Sequence, residues 1–301
     1  MKKAMFILNP SAGKEKAADY RENVEKTLKE MGYIVDTKET EKQRDATLFA
    51  REACEQKYDF VVAMGGDGTI NEAVSGLAEQ SHQPLFSLIP LGTVNDFARA
   101  LGISLDPEEA IEALKKGTEK AVDIAKVGDM YFMNILAIGD IAESTSSVSP
   151  EQKTRLGALA YFIEGIKAIT SDEETYFEVE HDHGVWKGDA KLVLVALTNS
   201  VGGFEKLAPE ALTDDGLLHL YIIEHAKLAG FVRMAGALWR GKLEEDPEVE
   251  AIHTTKVVIR TKEPLICNID GDEGCATPFK IEVLPRHIRA LIPPDKEELE
   301  E

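Results

Sequence analysis

The chain has 301 residues and a formal net charge of −20, with a sequence pI of about 4.8. A surface this acidic lacks the Lys and Arg clusters that grip phosphates, which argues against nucleic acid as a partner and against polybasic attachment to anionic membranes. The length admits one large domain or two ordinary ones, no apolar run approaches the roughly 20 residues of a membrane span, and the apolar part of Met1 to Asn9 is too short for a signal peptide.

Ala4 to Leu8 reads as the first strand, broken by Asn9-Pro10-Ser11-Ala12-Gly13-Lys14. A helix follows, with Tyr20, Val24, Leu28 and Met31 at helical spacing and Gly32 at its end. The small loop is either an anion site or an ordinary turn, and Lys14 does not fall at the spacing of GxxxxGK[ST]. Ile34 to Thr37 is a second strand leading to Thr40, and Ala46, Ala50, Ala53 and Cys54 mark the next helix. Phe60 to Met64 is a continuous apolar run, as expected of a strand buried on both faces. It enters Gly65-Gly66-Asp67-Gly68-Thr69-Ile70-Asn71-Glu72, after which Ala73, Val74 and Leu77 share one side of a helix. Strand, glycine turn and helix is the layout in which backbone N–H groups and a helix N-terminus face an anion. A carboxylate beside a phosphate is repelled unless a cation lies between them, so Asp67 points to Mg²⁺. The plainer reading is a tight turn with a capping Asp.

Leu85 to Ile89 is a fourth strand, running into Pro90-Leu91-Gly92-Thr93-Val94-Asn95-Asp96-Phe97-Ala98. This loop again places glycine, hydroxyl, amide and carboxylate before a helix. Asp106, Pro107 and Glu109 suit the N-cap, N1 and N3 positions of a further helix, with Ala110, Ile111 and Leu114 on its apolar side. Alternating strand and helix over the first ~120 residues predicts a mainly parallel sheet with helices on both faces. Ligands of such sheets lie at the carboxyl ends of the strands, and all three polar glycine loops follow strands.

The pattern changes after Val122. Ala121 to Val127, Tyr131 to Ile138, Thr175 to His181, Lys191 to Thr198, Leu217 to Ile223, Thr255 to Thr261, Leu265 to Ile269, Phe279 to Leu284 and Ile288 to Ile292 read as strands. Helices are expected over Arg155 to Ile169 and Lys227 to Trp239. Strand after strand with short turns predicts an antiparallel β-sandwich or barrel. The expected domains are 1–123 and 124–284, with the cleft between them as the default site. Three cysteines, Cys54, Cys267 and Cys275, without CxxC spacing indicate a reducing compartment, so a cytoplasmic protein is expected.

Two turns in this half carry chemistry of their own. Asp214-Asp215-Gly216 is either a hairpin turn or, through Asp215 and nearby carbonyls, a hold for a hard cation. Asn268-Ile269-Asp270-Gly271-Asp272-Glu273-Gly274 is either a solvated turn or the seat of a general base.

The five stretches at Asn9–Lys14, Gly65–Glu72, Pro90–Ala98, Asp215–Leu218 and Asp270–Asp272, in that order, resemble the bacterial soluble diacylglycerol kinases and related lipid kinases, whose catalytic domain is shared with sphingosine kinases. The resemblance implies transfer of phosphate from ATP, with Mg²⁺, to a lipid hydroxyl, most simply diacylglycerol to phosphatidic acid. It implies an N-terminal α/β nucleotide domain and a C-terminal β-sandwich for the lipid, with residues 285–301 returning to the first domain. By motif match, Asn9, Pro10, Ser11, Ala12, Gly13, Thr40, Gly66, Asp67, Gly68, Thr69, Ile70, Asn71, Glu72 and Thr93 would line the nucleotide. Asp67 and Asp96 would place the catalytic Mg²⁺, and Asp215 with the carbonyls of Leu212 and Leu217 would match a structural Mg²⁺ site. Where the family has Asp-Gly-Glu, this chain has Asp270-Gly271-Asp272, so the base falls to Asp272, with Glu273 beside it on the opposite strand face. The lipid is met transiently at the membrane surface, and a homodimer is left open. The alternatives are a nicotinamide-dinucleotide kinase, which shares the Gly-Gly-Asp-Gly-Thr turn, and a catalytically silent lipid sensor.

Overall fold

The structure, a computed structural model, describes residues 1–13, 17–139, 175–203, 207–224 and 228–294. Lys14, the expected helix Arg155 to Ile169, Lys227 and the acidic end from Asp295 lie outside the described residues. Contacts group the chain into two compact units, Met1–Val122 with the segment from Arg286, and Asp123–Pro285.

The first unit alternates β1 (Lys2–Leu8), α1 (Ala17–Glu30), β2 (Tyr33–Glu39), α2 (Asp45–Glu55), β3 (Phe60–Gly65), α3 (Asp67–Leu77), β4 (Leu85–Pro90), α4 (Asp96–Ala100) and α5 (Pro107–Ala113). The strands pair in parallel in the order β2-β1-β3-β4. Every residue of β3 is buried, as a central strand covered on both faces requires. The N-cap of α5 forms as its sequence dictates: Asp106 Oδ1 accepts the N–H groups of Glu108 (2.9 Å) and Glu109 (3.1 Å). Ala290, late in the chain, pairs in parallel with Phe86 on the outer side of β4.

The second unit holds two packed layers of antiparallel strands. One orders β12 (Val249–Thr254), β11 (Leu218–Ile223), β10 (Leu192–Ala196), β7 (Ile135–Gly139), β14 (Ile266–Ile269) and β15 (Asp272–Ala276). The other pairs the start of β16 (Phe279–Ile292) with β13 (Lys256–Thr261), then β8 (Thr175–His181) and β9 (Gly184–Ala190). Leu136, Val193, Leu220 and Ile252 of the first layer meet Phe177, Val257, Ile259 and Ile281 of the second in one core. The outer face of the six-stranded layer packs Leu192, Ala196, Tyr221 and Ile223 against Met234 and Leu238 of the helix Leu228–Trp239.

Several expected strands differ in the structure. Tyr131 to Ile138 is not one strand but β6 (Met130–Phe132) and β7, because the amides between them bond to a side chain instead of a ladder. Phe279 to Leu284 and Ile288 to Ile292 are one continuous strand through Pro285, whose lack of an N–H is harmless between the ladder segments. The sequence reading has no strand at β9, β12 or β15, and each of these is an edge of its sheet.

Candidate active site

The loops after β1, β3 and β4 come together at the carboxyl edge of the parallel sheet. Asn9, at the end of β1, donates from Nδ2 to Thr69 Oγ1 at 2.9 Å, and its own N–H reaches the Met64 carbonyl at 3.0 Å. Its Oδ1 accepts the Ser11 N–H at 3.0 Å, which shapes the first loop. The Thr40 N–H donates to the Leu8 carbonyl at 2.9 Å, bringing the end of β2 to the same edge.

Asp67 opens α3 and joins the second loop to the third. Its Oδ2 accepts the Asn95 N–H and its Oδ1 the Asp96 N–H, both at 2.9 Å. Asn95 is buried and left-handed at φ 57°, a conformation Asn tolerates better than most residues. Its side chain closes the loop on itself, accepting from the Gly92 N–H at 2.8 Å and donating to the Gly92 carbonyl at 3.0 Å. The glycines are there for space: a Cβ on Gly92 would lie 2.6 Å from Asn95 Oδ1 and 2.9 Å from Gly66 Cα. The first N–H groups of α3 have no intrahelical partners, so this edge presents backbone donors and a helix N-terminus side by side.

The second unit has two carboxylate-centred turns. Asp215 Oδ2 accepts the Leu212 N–H at 2.9 Å and Oδ1 the Leu217 N–H at 2.8 Å, while His219 Nε2 lies 3.1 Å from Oδ2. The adjacent Gly216 N–H donates to buried Asp123 at 2.7 Å. In the other turn Asp270 and Gly271 have φ 48° and 95°, the two positive values a type I′ hairpin needs. Asp270 is a clasp: Oδ2 accepts from Met133 (2.9 Å), and Oδ1 from Asn134 (3.1 Å) and Ile135 (2.8 Å). Asp272 and Glu273 follow in β15, both exposed; Asp272 pairs with Ile269 and Glu273 with Asn268, so they stand on opposite faces.

Comparison with known proteins identifies this arrangement. Residues 3–127 match the family model of the diacylglycerol kinase catalytic domain, and residues 140–292 that of the YegS C-terminal NAD kinase beta sandwich-like domain. A diacylglycerol kinase of Bacillus subtilis (strain 168) is 40% identical over 299 residues, 99% of each chain. The chain belongs to the diacylglycerol kinase family. A Staphylococcus aureus (strain MRSA252) diacylglycerol kinase is 37% identical over 294 residues, covering 98% of this chain and 93% of that one. A crystal structure of a diacylglycerol kinase from Bacillus anthracis str. Sterne superposes with a TM-score of 0.84 at 28% identity, covering 97% of this chain and 98% of the other. The fold, an α/β unit followed by an antiparallel β-sandwich, is that of the family, and the enzyme is a lipid kinase.

Within this lipid kinase the expected nucleotide-side residues do not all serve alike. Asn9, Ser11, Gly66, Asp67 and Thr69 knit the three loops, while Gly68 and Thr93 are exposed at the edge. Pro10, Ala12, Gly13 and Thr40 flank them. Ile70 is buried core, and Asn71 accepts from Ser75 on α3. Glu72 points elsewhere: its carboxylate accepts the Arg44 N–H at 2.8 Å and its carbonyl the Thr47 hydroxyl at 2.9 Å, which fixes the start of α2. Arg99 Nε donates to the Val94 carbonyl at 3.0 Å, bracing the third loop. Burial pushes the Asp67 carboxyl above the usual range, and the Asp96 charge adds to this, against the backbone N–H groups of Asn95, Asp96 and Asp67 itself that oppose it. At Asp215 burial also pushes upward, but His219 and the Leu212 and Leu217 amides outweigh it and hold the carboxyl below the usual range.

Asp67 with Asp96 beside it offers hard oxygen donors, the donor chemistry that suits Mg²⁺; the Asp123 and Asp215 carboxylates, which accept the N–H groups of the consecutive residues Gly216 and Leu217, are donors of the same kind. Sequence reasoning did not single out Asp123 or His219, and it named Asp270 as part of its motif without its clasp on Met133, Asn134 and Ile135. Their signal is spatial: each meets partners 4 to 137 positions away in the chain.

Proposed function

We propose that this lipid kinase transfers the γ-phosphoryl group of ATP to the free hydroxyl of diacylglycerol, giving phosphatidic acid, with Mg²⁺ as cofactor. The observation that carries the reading is the convergence of three glycine loops on one sheet edge, tied by the Asn9–Thr69 and Asp67–Asn95–Asp96 hydrogen bonds. Phosphoryl transfer needs positioning and charge neutralisation more than covalent chemistry, and an edge lined by backbone N–H groups supplies the first.

In this reading Asn9 to Gly13, Thr40, Gly66 to Thr69, Asn71 and Thr93 receive the nucleotide, while Ile70 supports the loop from the core and Glu72 from the start of α2. Asp67 and Asp96 would hold the catalytic Mg²⁺, directly or through water, and the ion would supply charge neutralisation at the phosphates. A buried carboxyl raised by a neighbouring carboxylate is destabilised when ionised, and a cation beside it relieves that cost. Asp272 takes the proton of the lipid hydroxyl, and Glu273 faces the other way. Asp215 with the Leu212 and Leu217 carbonyls holds a second, structural Mg²⁺. Among the described residues no helix is long and apolar enough to cross a membrane. Leu212 and Trp239, 60% and 69% exposed, are apolar enough to touch a lipid surface transiently from the cytoplasm. A homodimer is compatible with the reading and is not required by it.

The test is transfer of label from radioactive ATP to a panel of lipids in mixed micelles, with and without Mg²⁺, and with NAD as a parallel acceptor. Labelled phosphatidic acid that depends on Mg²⁺ is expected. Label on NAD, or on another lipid in preference to diacylglycerol, would overturn the substrate assignment.

A further inference from the structure

The outer face of the six-stranded sheet carries a polar cluster that phosphoryl transfer does not use. Period-two alternation along β11 turns Leu218, Leu220 and Ile222 into the sandwich and His219, Tyr221 and Ile223 the other way. His219 stands directly opposite His253 of β12, their ring centroids 4.6 Å apart. Glu244, from the 3₁₀ turn Leu243–Glu245, brings its carboxylate to 3.5 Å from His253 Nε2. One ligand atom from each of the three lies within 4.8 Å of the other two.

The ring nitrogens make this more than a surface cluster. His219 is 3% exposed, and its Nε2 is engaged by Asp215 Oδ2 at 3.1 Å. Its Nδ1, and His253 Nε2, are buried with no hydrogen-bond partner, where buried polar atoms are as a rule bonded. A protonated His253 paired with Glu244 would account for one of these nitrogens. It leaves His219 Nδ1 without a partner.

We propose that His219 Nδ1, His253 Nε2 and a Glu244 oxygen bind a divalent transition-metal ion of the zinc type, with the fourth position open to water. Two imidazoles and a carboxylate form a donor set that favours zinc-like ions over Mg²⁺. Asp215 behind His219, and the Tyr221 hydroxyl donating to Glu244 at 2.9 Å, supply the outer hydrogen bonds that orient metal ligands. Zinc bonds of about 2.0–2.2 Å set tetrahedral donors roughly 3.3 Å apart. The Glu244–His253 edge already has that length at 3.5 Å, and the cluster as a whole, with one ligand atom from each residue within 4.8 Å of the others, needs to close by about 1.5 Å at most. The partly exposed side chains of Glu244 and His253 provide the way in. Such an ion fastens the 3₁₀ turn to β11 and β12.

The full-length protein, stripped with a chelator, is titrated with Zn²⁺ in excess Mg²⁺ by calorimetry and with Co²⁺ by absorption. One equivalent of Zn²⁺ is expected that Mg²⁺ does not displace. The Co²⁺ form should show tetrahedral d–d bands without a thiolate charge-transfer band, which excludes Cys267 and Cys275. Glu244→Gln and His253→Gln, both partly exposed and checked for native circular dichroism, should each weaken Zn²⁺ by about 100-fold or more, and Asp215→Asn by about 10–100-fold. No saturable binding, displacement by Mg²⁺, a thiolate band, or unchanged affinity in the Glu244 and His253 variants would overturn the proposal.

Discussion

Asp270→Asn isolates the clasp that holds the β6–β7 corner beside the proposed base. The native carboxylate accepts three N–H groups, from Met133 at 2.9 Å, Asn134 at 3.1 Å and Ile135 at 2.8 Å. Asn keeps one acceptor oxygen, and its best orientation leaves that oxygen with Asn134 and Ile135. The NH₂ then faces the Met133 N–H, donor against donor, so that bond is lost outright. Hydrogen bonds to charged groups contribute about 1.5–3 kcal/mol and neutral ones about 0.5–1.5, so one loss plus two weakened bonds sums to roughly 3.5–6 kcal/mol. Asp270 is partly exposed and water can replace some of this, which brings the expectation to about 2–4 kcal/mol. For a unit of about 150–250 residues that is a fall of roughly 4–16 °C in the melting temperature of the second unit. Scanning calorimetry on the purified protein reads it directly. A shift below about 2 °C would refute the reasoning, because it would mean the three amides find equal partners without the charge.

Asp272→Asn removes the proposed proton acceptor from an exposed strand, so kcat should fall about 10²–10⁴-fold with the melting temperature unchanged; if Glu273→Gln is the damaging change instead, the base is one residue on. Gly92→Ala puts a methyl against Asn95 Oδ1 and Gly66 Cα and pushes two nucleotide loops apart, so kcat/KM for ATP should fall by about 10²-fold, and near-normal kinetics would disprove the close approach. Asp215 has its folded-state pKa lowered, so its contribution to stability is present above the ordinary carboxylate pKa of about 3.9 and is lost as pH falls through the folded value. The melting temperature of Asp215→Asn should therefore be lower near neutrality and fall less steeply below about pH 4 than that of the native chain; parallel profiles would show that the carboxylate's ionisation is not linked to folding.

How much of this was legible in the sequence follows from burial. β3 and β4 are central, so their apolar runs reflect two covered faces and the reading finds them within a residue or two. β9, β12 and β15 are edges with one row of partners and mostly exposed or half-exposed side chains, so Gly184 to Ala190 and Asp272 to Ala276 look like turns. The same limit applies to the site. The glycine loops declare themselves because a tight βα turn constrains consecutive residues. The bond from Asp67 to Asn95 and Asp96 does not, because nothing local in Gly66-Asp67-Gly68 says which amides its oxygens will meet. The helix expected over Lys227 to Trp239 illustrates the reverse: by pattern alone an apolar side serves a surface or a core equally well, and Met234 and Leu238 are spent on the sheet.

The path of β16 bears on how the chain is made. Its last residues close the first unit: Ala290 pairs with Phe86, Ser87 Oγ donates to the Leu291 carbonyl at 3.0 Å, and Arg289 grips Glu119 through Nε (2.7 Å) and Nη2 (2.9 Å). During synthesis β4 therefore waits as a bare edge until the whole second unit has left the ribosome. An unpaired edge that reads Leu-Phe-Ser-Leu-Ile-Pro is a template for misassociation. The nascent N-terminal unit is thus exposed to chaperones and proteases for most of translation, and a ribosome stalled before Arg286 would release it incomplete.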